Sequence, residues 1–152
     1  MNKGDIYMDM TLVYKILGKD SQRILASYIS QFNDICNEIM SFEENNSLNR
    51  LIYYSPVFMR VREKPKLIEE ISLSFKSSVE GLHKNGVDIN ELIEFSNKLN
   101  EFVRLTKTLE ICLKKDQLDP KDNVDLLIIV EKLKKFLERE NFYVEDCRST
   151  DY

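Results

Sequence analysis

The side chains with the most reactive chemistry in this sequence are one histidine and three cysteines: His83, Cys36, Cys112 and Cys147. A protein metal site needs paired Cys or His ligands at short spacings, and these four residues are scattered along the chain. Cys36 and Cys112 fall within apolar helical stripes, and no cysteine opens a helix, which is a position that activates a thiol. We therefore predict buried thiols in a reducing compartment, with no catalytic residue, no metal site and no cofactor.

His83 stands near the end of a predicted helix, in the sequence GLHKNG. The dipeptide Asn85-Gly86 is a strong helix-termination signal, so the imidazole lies where it can interact with the last helical carbonyls. We favour this capping role over phosphotransfer or general-base catalysis. The four glycines are too sparse to form a phosphate-binding loop.

A segment rich in aromatic and basic residues, 49–66 (NRLIYYSPVFMRVREKPK), is the best candidate for a contact surface. Tyrosine and arginine are the residue types most enriched at binding hot spots, and methionine adds an adaptable contact. The alternative is a connection that folds its aromatic rings over the end of a helical bundle. The candidate partner-binding residues are Arg50, Tyr53, Tyr54, Phe58, Met59, Arg60 and Arg62.

Nucleic-acid binding is an alternative use of the basic-aromatic segment 50–66, because aromatic rings beside cations are one way to hold a single strand. The basic residues in question form two groups along the chain: Arg60, Arg62, Lys64 and Lys66, and then Lys132, Lys134 and Lys135. The formal net charge of the chain is −4, however, and no recognised nucleic-acid-binding module accompanies these residues. We therefore favour solvated faces over a nucleic-acid site.

The bulk composition indicates one ordinary globular domain. The 152 residues are 43% hydrophobic and 32% charged, which suits a folded chain rather than a disordered one. A chain of this length can bury roughly 70% of its unfolded surface without metals or disulfides. We predict a single all-helical domain, 1–152, whose acidic tail, 142–152, frays, with the alternative that Phe142 and Val144 pack back against the bundle.

The first ten residues, MNKGDIYMDM, lack the basic start and apolar core of a signal peptide. The longest apolar run, 126–130, is too short to span a bilayer. We expect a cytoplasmic protein that does not bind membranes, in the host cytoplasm if it is viral. The single alanine and the abundance of Lys, Ile and Asn are typical of an AT-rich genome, such as that of a low-GC bacterium, a phage or a large virus.

Helical hydrophobic stripes cover most of the chain. The longest stripe has steps that alternate between three and four, which places its members on one face of a helix. These members are Leu92, Phe95, Leu99, Phe102, Thr106, Leu109 and Leu113. Similar stripes predict the other helices, at about 6–17, 21–44, 65–84 and 121–140, with a short helix after Ser47. In the helix at 21–44 the stripe is Ile24, Tyr28, Phe32, Ile35 and Ile39.

Cap and turn residues set the expected boundaries. We expect Asp5 or Asp9 to begin the first helix and Gly18 to end it, and Asp20 to cap the second. The remaining expected signals are a break at Asn45-Asn46, an interruption at Pro56, helix starts at Pro65 and Asp119-Pro120, a stop at Asn85-Gly86 and a cap at Asp88.

The last helix differs from the others because its apolar residues, 126–130, cover more than one face. A helix that is apolar on most sides is surrounded by its neighbours. We therefore predict a compact all-α bundle of about five to six helices, mostly antiparallel, with the helix at about 121–140 at its centre. Short loops favour antiparallel neighbours.

A helical core, dispersed charges and the lack of a chemical motif favour a protein that acts by binding another protein. We expect a small non-enzymatic regulator, inhibitor or immunity-type protein. The first helix, 6–17, is either a core helix or an amphipathic segment for a partner groove or a homodimer. A nucleic-acid-associated regulator is the second hypothesis, and an enzyme with a site of dispersed residues is the third.

Overall fold

A computed structural model describes residues 10–45, 50–114, 120–139 and 142–145, and within this part of the chain all regular structure is helical. The predicted all-α bundle is therefore confirmed. The described residues form six helices: α1 (Thr11–Leu17), α2 (Lys19–Asn45), α3 (Arg50–Val61), α4 (Lys64–Lys84), α5 (Asn90–Lys114) and α6 (Pro120–Arg139). No helix of the described part has an apolar stretch long enough to cross a bilayer.

Helices α4 and α5 form an antiparallel hairpin whose ends follow the predicted signals. Pro65 lies in the first turn of α4, and Asn85 ends the helix before Gly86, which has a φ of 78°. Gly is suited to this position because it has no Cβ to clash at positive φ. The Asp88 carboxylate then accepts a hydrogen bond from the Asn90 N–H at 3.1 Å, at the start of α5.

Helix α5 is the helix around which the bundle is built. All seven members of its predicted stripe are buried, including Thr106, whose hydroxyl donates to the Phe102 carbonyl at 2.8 Å. Helix α5 contacts α1, α3, α4 and α6. Ring pairs fix its neighbours, with Phe102 5.8 Å from Phe32 of α2 and 6.3 Å from Phe136 of α6.

The expectation that the helix at 121–140 is central is wrong. Helix α6 packs mainly against α2 and α5, and its outer face remains in solvent. Ile128 is 47% exposed although it belongs to the apolar run that suggested burial on all sides, and Val124, one turn earlier, is 54% exposed. Leu126, Ile129 and Val130 fill the inner face of α6, so its burial is amphipathic like that of the other helices.

Helix α2 begins earlier and faces the core differently than expected. Asp20 lies inside the first turn and is not the N-cap, because the Gln22 N–H already donates to the Gly18 carbonyl at 3.0 Å. Leu25 is fully buried, whereas the predicted stripe residues Ile24 and Tyr28 are half-buried. The stripe of α2 shifts gradually around the helix, because the mean spacing of its residues differs from the 3.6 residues of one helical turn.

Pro56 does not interrupt the chain as predicted, since α3 continues through it. Proline inside a helix removes a hydrogen bond and clashes with a preceding carbonyl, at a cost of about 3 kcal/mol. Helix α3 buries Tyr54, Val57 and Val61 on one face, and each such side chain contributes roughly 1.5–3 kcal/mol. Burial therefore outweighs the proline, whose own ring is exposed.

The first residues of the expected frayed tail, 142–145, pack against the bundle instead. Phe142 and Val144 are buried. The Glu145 carbonyl accepts a hydrogen bond from Gln22 Nε2 at 2.8 Å, and its N–H donates to the Tyr14 hydroxyl at 3.0 Å. Several features predicted from the sequence lie outside the described residues. These are the caps Asp5, Asp9 and Asp119, the break at Asn46, Ser47, Cys147 and the tail from 146 onward.

Glu63, in the short turn between α3 and α4, has a φ of 69°, which costs a residue with a Cβ roughly 1–2 kcal/mol. Its side chain is exposed, and its backbone N–H donates to Glu110 Oε2 at 2.9 Å. Glu63→Gly keeps this donor and removes the strain. We expect the free energy of unfolding in urea to rise by about 0.5–1 kcal/mol, after allowance for the flexibility that glycine adds to the unfolded chain.

Glu70→Gly is the matched control, because Glu70 is an exposed residue inside α4. It should lower the free energy of unfolding by about 1 kcal/mol, the ordinary penalty for glycine within a helix. Equal destabilisation by the two glycine variants would show that Glu63 is not strained.

Candidate functional site

The aromatic residues of the predicted contact segment 49–66 turn toward the core where the structure describes them. Tyr54 is only 2% exposed, its ring lies 5.5 Å from that of Phe42, and its hydroxyl donates to Glu43. Phe58 is half-buried against the core. These two rings therefore cover the bundle, as the alternative interpretation of the segment proposed. The side chains of Arg50 and Tyr53 lie outside the described residues.

The remaining candidates of this segment are exposed. Met59 is 58% exposed, and Arg62 also faces solvent. Arg60 forms an ion pair with Glu38 of α2 at 2.9 Å. Among the candidates whose side chains the structure describes, the exposed ones are therefore one apolar and two basic residues, Met59, Arg60 and Arg62.

Lys64 begins α4 and belongs to the first basic group of the sequence. Its ammonium donates to the Arg60 carbonyl and lies 5.7 Å from the centre of the Tyr28 ring. Partial burial, with a smaller effect of the Arg60 charge, lowers the pKa of Lys64. These contacts hold Lys64 against α2 and α3, so it is not a free cation for a ligand.

A second candidate site, which the sequence did not indicate, is a groove between α5 and α6 that is lined mainly by charged side chains. We call it the α5–α6 groove, with a volume of about 600 Å³. Five of its lining side chains are cationic and only one is anionic. The lining residues are Asn97, Lys98, Glu101, Arg104, Leu105, Lys132, Lys135, Phe136 and Arg139.

Some of the cations of the α5–α6 groove have carboxylate neighbours of their own helix. Arg104 donates to Glu101, and this hydrogen bond raises the pKa of the guanidinium. Lys135 lies 3.0 Å from Glu131 one turn earlier. These are exposed pairs, which contribute only about 0.2–1 kcal/mol each, so their cations can exchange partners easily.

Two further cations of the groove, Lys132 and Arg139, have no ion pair with any residue that the structure describes. Both are exposed on α6, seven residues apart, on the same face as Lys135. Lys132, Lys135 and Arg139 follow the three-and-four spacing of a helical face. That spacing was the one signal in the sequence that could have identified half of this site.

The second basic group of the sequence is therefore divided between two faces of α6. Lys132 and Lys135 line the α5–α6 groove, whereas Lys134 points toward α2. Lys134 lies 2.8 Å from Asn33 Oδ1 and 2.7 Å from Glu138. Lys98, Arg104 and Arg139, which sequence reasoning missed, supply the other cations of the groove.

Apolar side chains accompany the cations of the α5–α6 groove. Leu105 and Phe136 are buried side chains in its lining. Ile128 and Val124 extend the outer face of α6 one and two turns before Lys132, and both are about half exposed. The face thus combines a basic end with an apolar end.

Nucleophilic and acid–base groups are not gathered at this site. His83 lies exposed in the last turn of α4 and does not line the α5–α6 groove. Cys112 is half-buried on α5, and Cys36 is buried on α2. No group of three His, Cys, Asp or Glu side chains within the described ranges is arranged to hold a metal ion.

Burial raises the pKa of the Cys36 thiol from 9.0 to about 12, with Lys134 opposing the shift and Glu138 adding to it. In a Cys112→Ser/Cys147→Ser variant, we therefore expect Ellman's reagent at pH 8 to modify Cys36 only on unfolding, since the thiolate is the reactive form. Rapid modification of the folded variant would contradict this burial.

The raised pKa of Cys36 also makes the free energy of unfolding depend on pH in alkaline solution. The thiol stays protonated in the folded chain up to about pH 12, whereas the unfolded thiol loses its proton near pH 9. The contribution of Cys36 to stability is thus complete below pH 9 and decreases between pH 9 and 12. Urea titrations of Cys36→Ala should show a smaller loss of stability over this range than the parent chain.

The geometry of the described chain is therefore that of a helical bundle with a basic, partly apolar groove between α5 and α6. Comparison with protein-family models, with curated proteins and with solved structures finds no match to this chain.

Proposed function

We propose that this chain is a protein-binding module that contacts its partner through the α5–α6 groove. The observation that carries the proposal is the lining of the groove, where five cations surround the buried side chains of Leu105 and Phe136. Interfaces combine an apolar centre with a polar rim, and arginine is enriched in them. The groove offers that combination on a pair of packed helices.

The α5–α6 groove is a better candidate than the segment 49–66. Binding energy at interfaces is concentrated in a few well-packed residues, with Trp, Tyr and Arg prominent among them. Tyr54 and Phe58 of the segment already pack within the chain, and Arg60 is paired with Glu38. In the groove, by contrast, Lys132 and Arg139 extend into solvent beside exposed Ile128.

Site-specific photo-crosslinking in the organism that encodes the chain tests this proposal. A benzophenone amino acid replaces Asn97, an uncharged groove residue, so that every cation of the groove is retained. Met59 is the comparison position for the segment 49–66, and Ser77, exposed on α4, is the control. We expect a discrete protein adduct from position 97 and none from position 77.

Three results would contradict the proposal. Adducts from position 59 with none from position 97 would place the contact on α3. Nuclease-sensitive adducts from position 97 would indicate a nucleic-acid partner. Equal adducts from positions 97 and 77 would show that the groove has no special affinity.

A further inference from the structure

We infer that the partner segment for the α5–α6 groove is an acidic, amphipathic α-helix. This inference rests on the proposed function and specifies the chemistry of the partner. It follows from three features of the groove: the sign of its charges, their spacing along α6, and the apolar surface that continues from them.

The sign of the charge is local to this face. The whole chain has a formal net charge of −4, yet the groove is lined by five cations and one carboxylate, Glu101. A basic face on an acidic protein attracts anionic segments while the remaining surface repels them, which favours one binding orientation. A partner carboxylate is therefore the group that this face selects.

The spacing of the cations matches the repeat of a helix. Lys132 and Arg139 of α6 are seven residues apart, or about 10 Å at a rise of 1.5 Å per residue. Helix α5 is antiparallel to α6, because Phe102 packs against Phe136 and Phe95 packs against Phe142, which follows the end of α6. Lys98 and Arg104 of α5 lie about 9 Å apart along the other side of the groove, but not on one face of α5, and Lys98 is 3.8 Å from Glu94. A helix that carries carboxylates at steps of three and four residues would match the row of cations on α6.

The apolar surface distinguishes a protein helix from a nucleic acid. Leu105 and Phe136 lie in the groove, and Ile128 and Val124 continue along α6 from Lys132. A sugar-phosphate backbone would pair with the cations but leave the exposed aliphatic side chains of Ile128 and Val124 in water. A helix with an apolar stripe between its carboxylates would cover them and gain about 25 cal/mol for each Å² of apolar surface removed from water.

A synthetic peptide tests the inference directly. The probe is a fluorescein-labelled 18-residue peptide with leucine on one helical face and glutamate on the flanks of that face. Its controls are a shuffled peptide of the same composition without the apolar face, the same peptide with lysine in place of glutamate, and single-stranded (dT)12. Fluorescence anisotropy with the full chain gives the dissociation constants at low and at raised salt.

Two pairs of charge reversals locate the site. The groove variant is Lys132→Glu/Arg139→Glu, and the control variant is Lys76→Glu/Lys84→Glu on α4. None of these four exposed cations has an ion pair with a described residue, so the reversals disrupt no described contact, and circular dichroism confirms that each variant is folded. We expect the groove variant to bind the peptide about tenfold or more weakly and the control variant to bind within about twofold of the parent.

The apolar part of the inference has its own variant. Ile128→Ser leaves all cations in place and should weaken binding of the amphipathic peptide several-fold, with little effect on the shuffled peptide. We also expect salt to weaken the binding of the glutamate peptide. The lysine peptide should not bind.

Four outcomes would overturn the inference. Equal binding of the shuffled peptide would show that charge alone is recognised. Tighter binding of (dT)12 that is lost in the groove variant would assign the face to nucleic acid. Peptide binding unaffected by Lys132→Glu/Arg139→Glu would place the site elsewhere. A protein adduct from position 97 together with no peptide binding would refute the acidic helix while retaining the proposed function.

Discussion

Leu99→Asp is expected to unfold the domain. Leu99 is fully buried on the inner face of α5, the helix that contacts α1, α3, α4 and α6. Loss of the leucine side chain alone would cost about 2–5 kcal/mol, and desolvation of an unpaired carboxylate would add several more. Because small domains are stable by only about 5–15 kcal/mol, the sum removes most or all of the stability.

Leu73→Asp is the matched control, since it makes the same change at a leucine that is 61% exposed on α4. Its free energy of unfolding should remain within about 0.5 kcal/mol of the parent value, as is usual for surface substitutions. Circular dichroism spectra and melting temperatures of both variants give the comparison. Similar melting temperatures for Leu99→Asp and the parent would show that the inner face of α5 has been assigned wrongly.

Leu127→Asp tests whether Leu127 is half-buried, as in the structure, or fully buried, as predicted from the sequence. From the sequence, Leu127 is expected to be as critical as Leu99, because it lies in the apolar run of the last helix. The structure places it half-buried, while its neighbour Leu126 is fully buried. The loss of stability should therefore be clearly smaller for Leu127→Asp than for Leu99→Asp.

Phe142→Ala is expected to lower the free energy of unfolding by about 3–5 kcal/mol, the usual range for truncating a buried phenylalanine. Its ring centre lies 5.2 Å from that of Phe102, 5.0 Å from that of Phe136 and 6.0 Å from that of Phe95. The residue thus fills the space between α5 and α6 although it follows the end of the last helix.

Tyr143→Ala, at the next residue, is the control for this variant. Tyr143 is 68% exposed, so its truncation should change the stability by less than about 0.5 kcal/mol. Urea unfolding of the two variants measures the difference. Equal effects, or no effect of Phe142→Ala, would mean that the chain after α6 does not pack against the core.

Helix α5 shows what could be predicted from the sequence. Seven apolar or neutral side chains recur with helical spacing from Leu92 to Leu113, and every one of them is buried. Local chemistry also fixed the helix ends at Pro65 and Gly86, because proline and glycine constrain the backbone directly. Such signals depend only on neighbouring residues and can therefore be recognised in the sequence.

Features that depend on tertiary packing were predicted less well. The continuation of α3 through Pro56 depends on the burial of Val57 and Val61 against other helices, which outweighs a local preference. The exposure of Ile128 depends on which neighbours α6 acquires, and its apolar character gave no indication of that. Periodicity identifies a helix but does not rank the helices by centrality.

The candidate site was the least predictable feature. Arg104 and Lys132 are far apart in the sequence, and only the antiparallel packing of α5 and α6 brings both into one groove. Lys134 is adjacent to two of the groove cations in the sequence, yet it pairs with Asn33 of α2. A sequence group of three lysines thus contributed two residues to the site, and the other cations came from residues that had no motif.

Chemical-shift perturbation in the ¹⁵N-labelled chain, on addition of the acidic amphipathic peptide, tests most directly whether the α5–α6 groove is the binding site. We expect the largest amide shifts to cluster in 97–105 and 128–139 and to disappear in Lys132→Glu/Arg139→Glu, as both proposals require. Shifts concentrated in 57–66, or the same groove shifts in the charge-reversed variant, would contradict them.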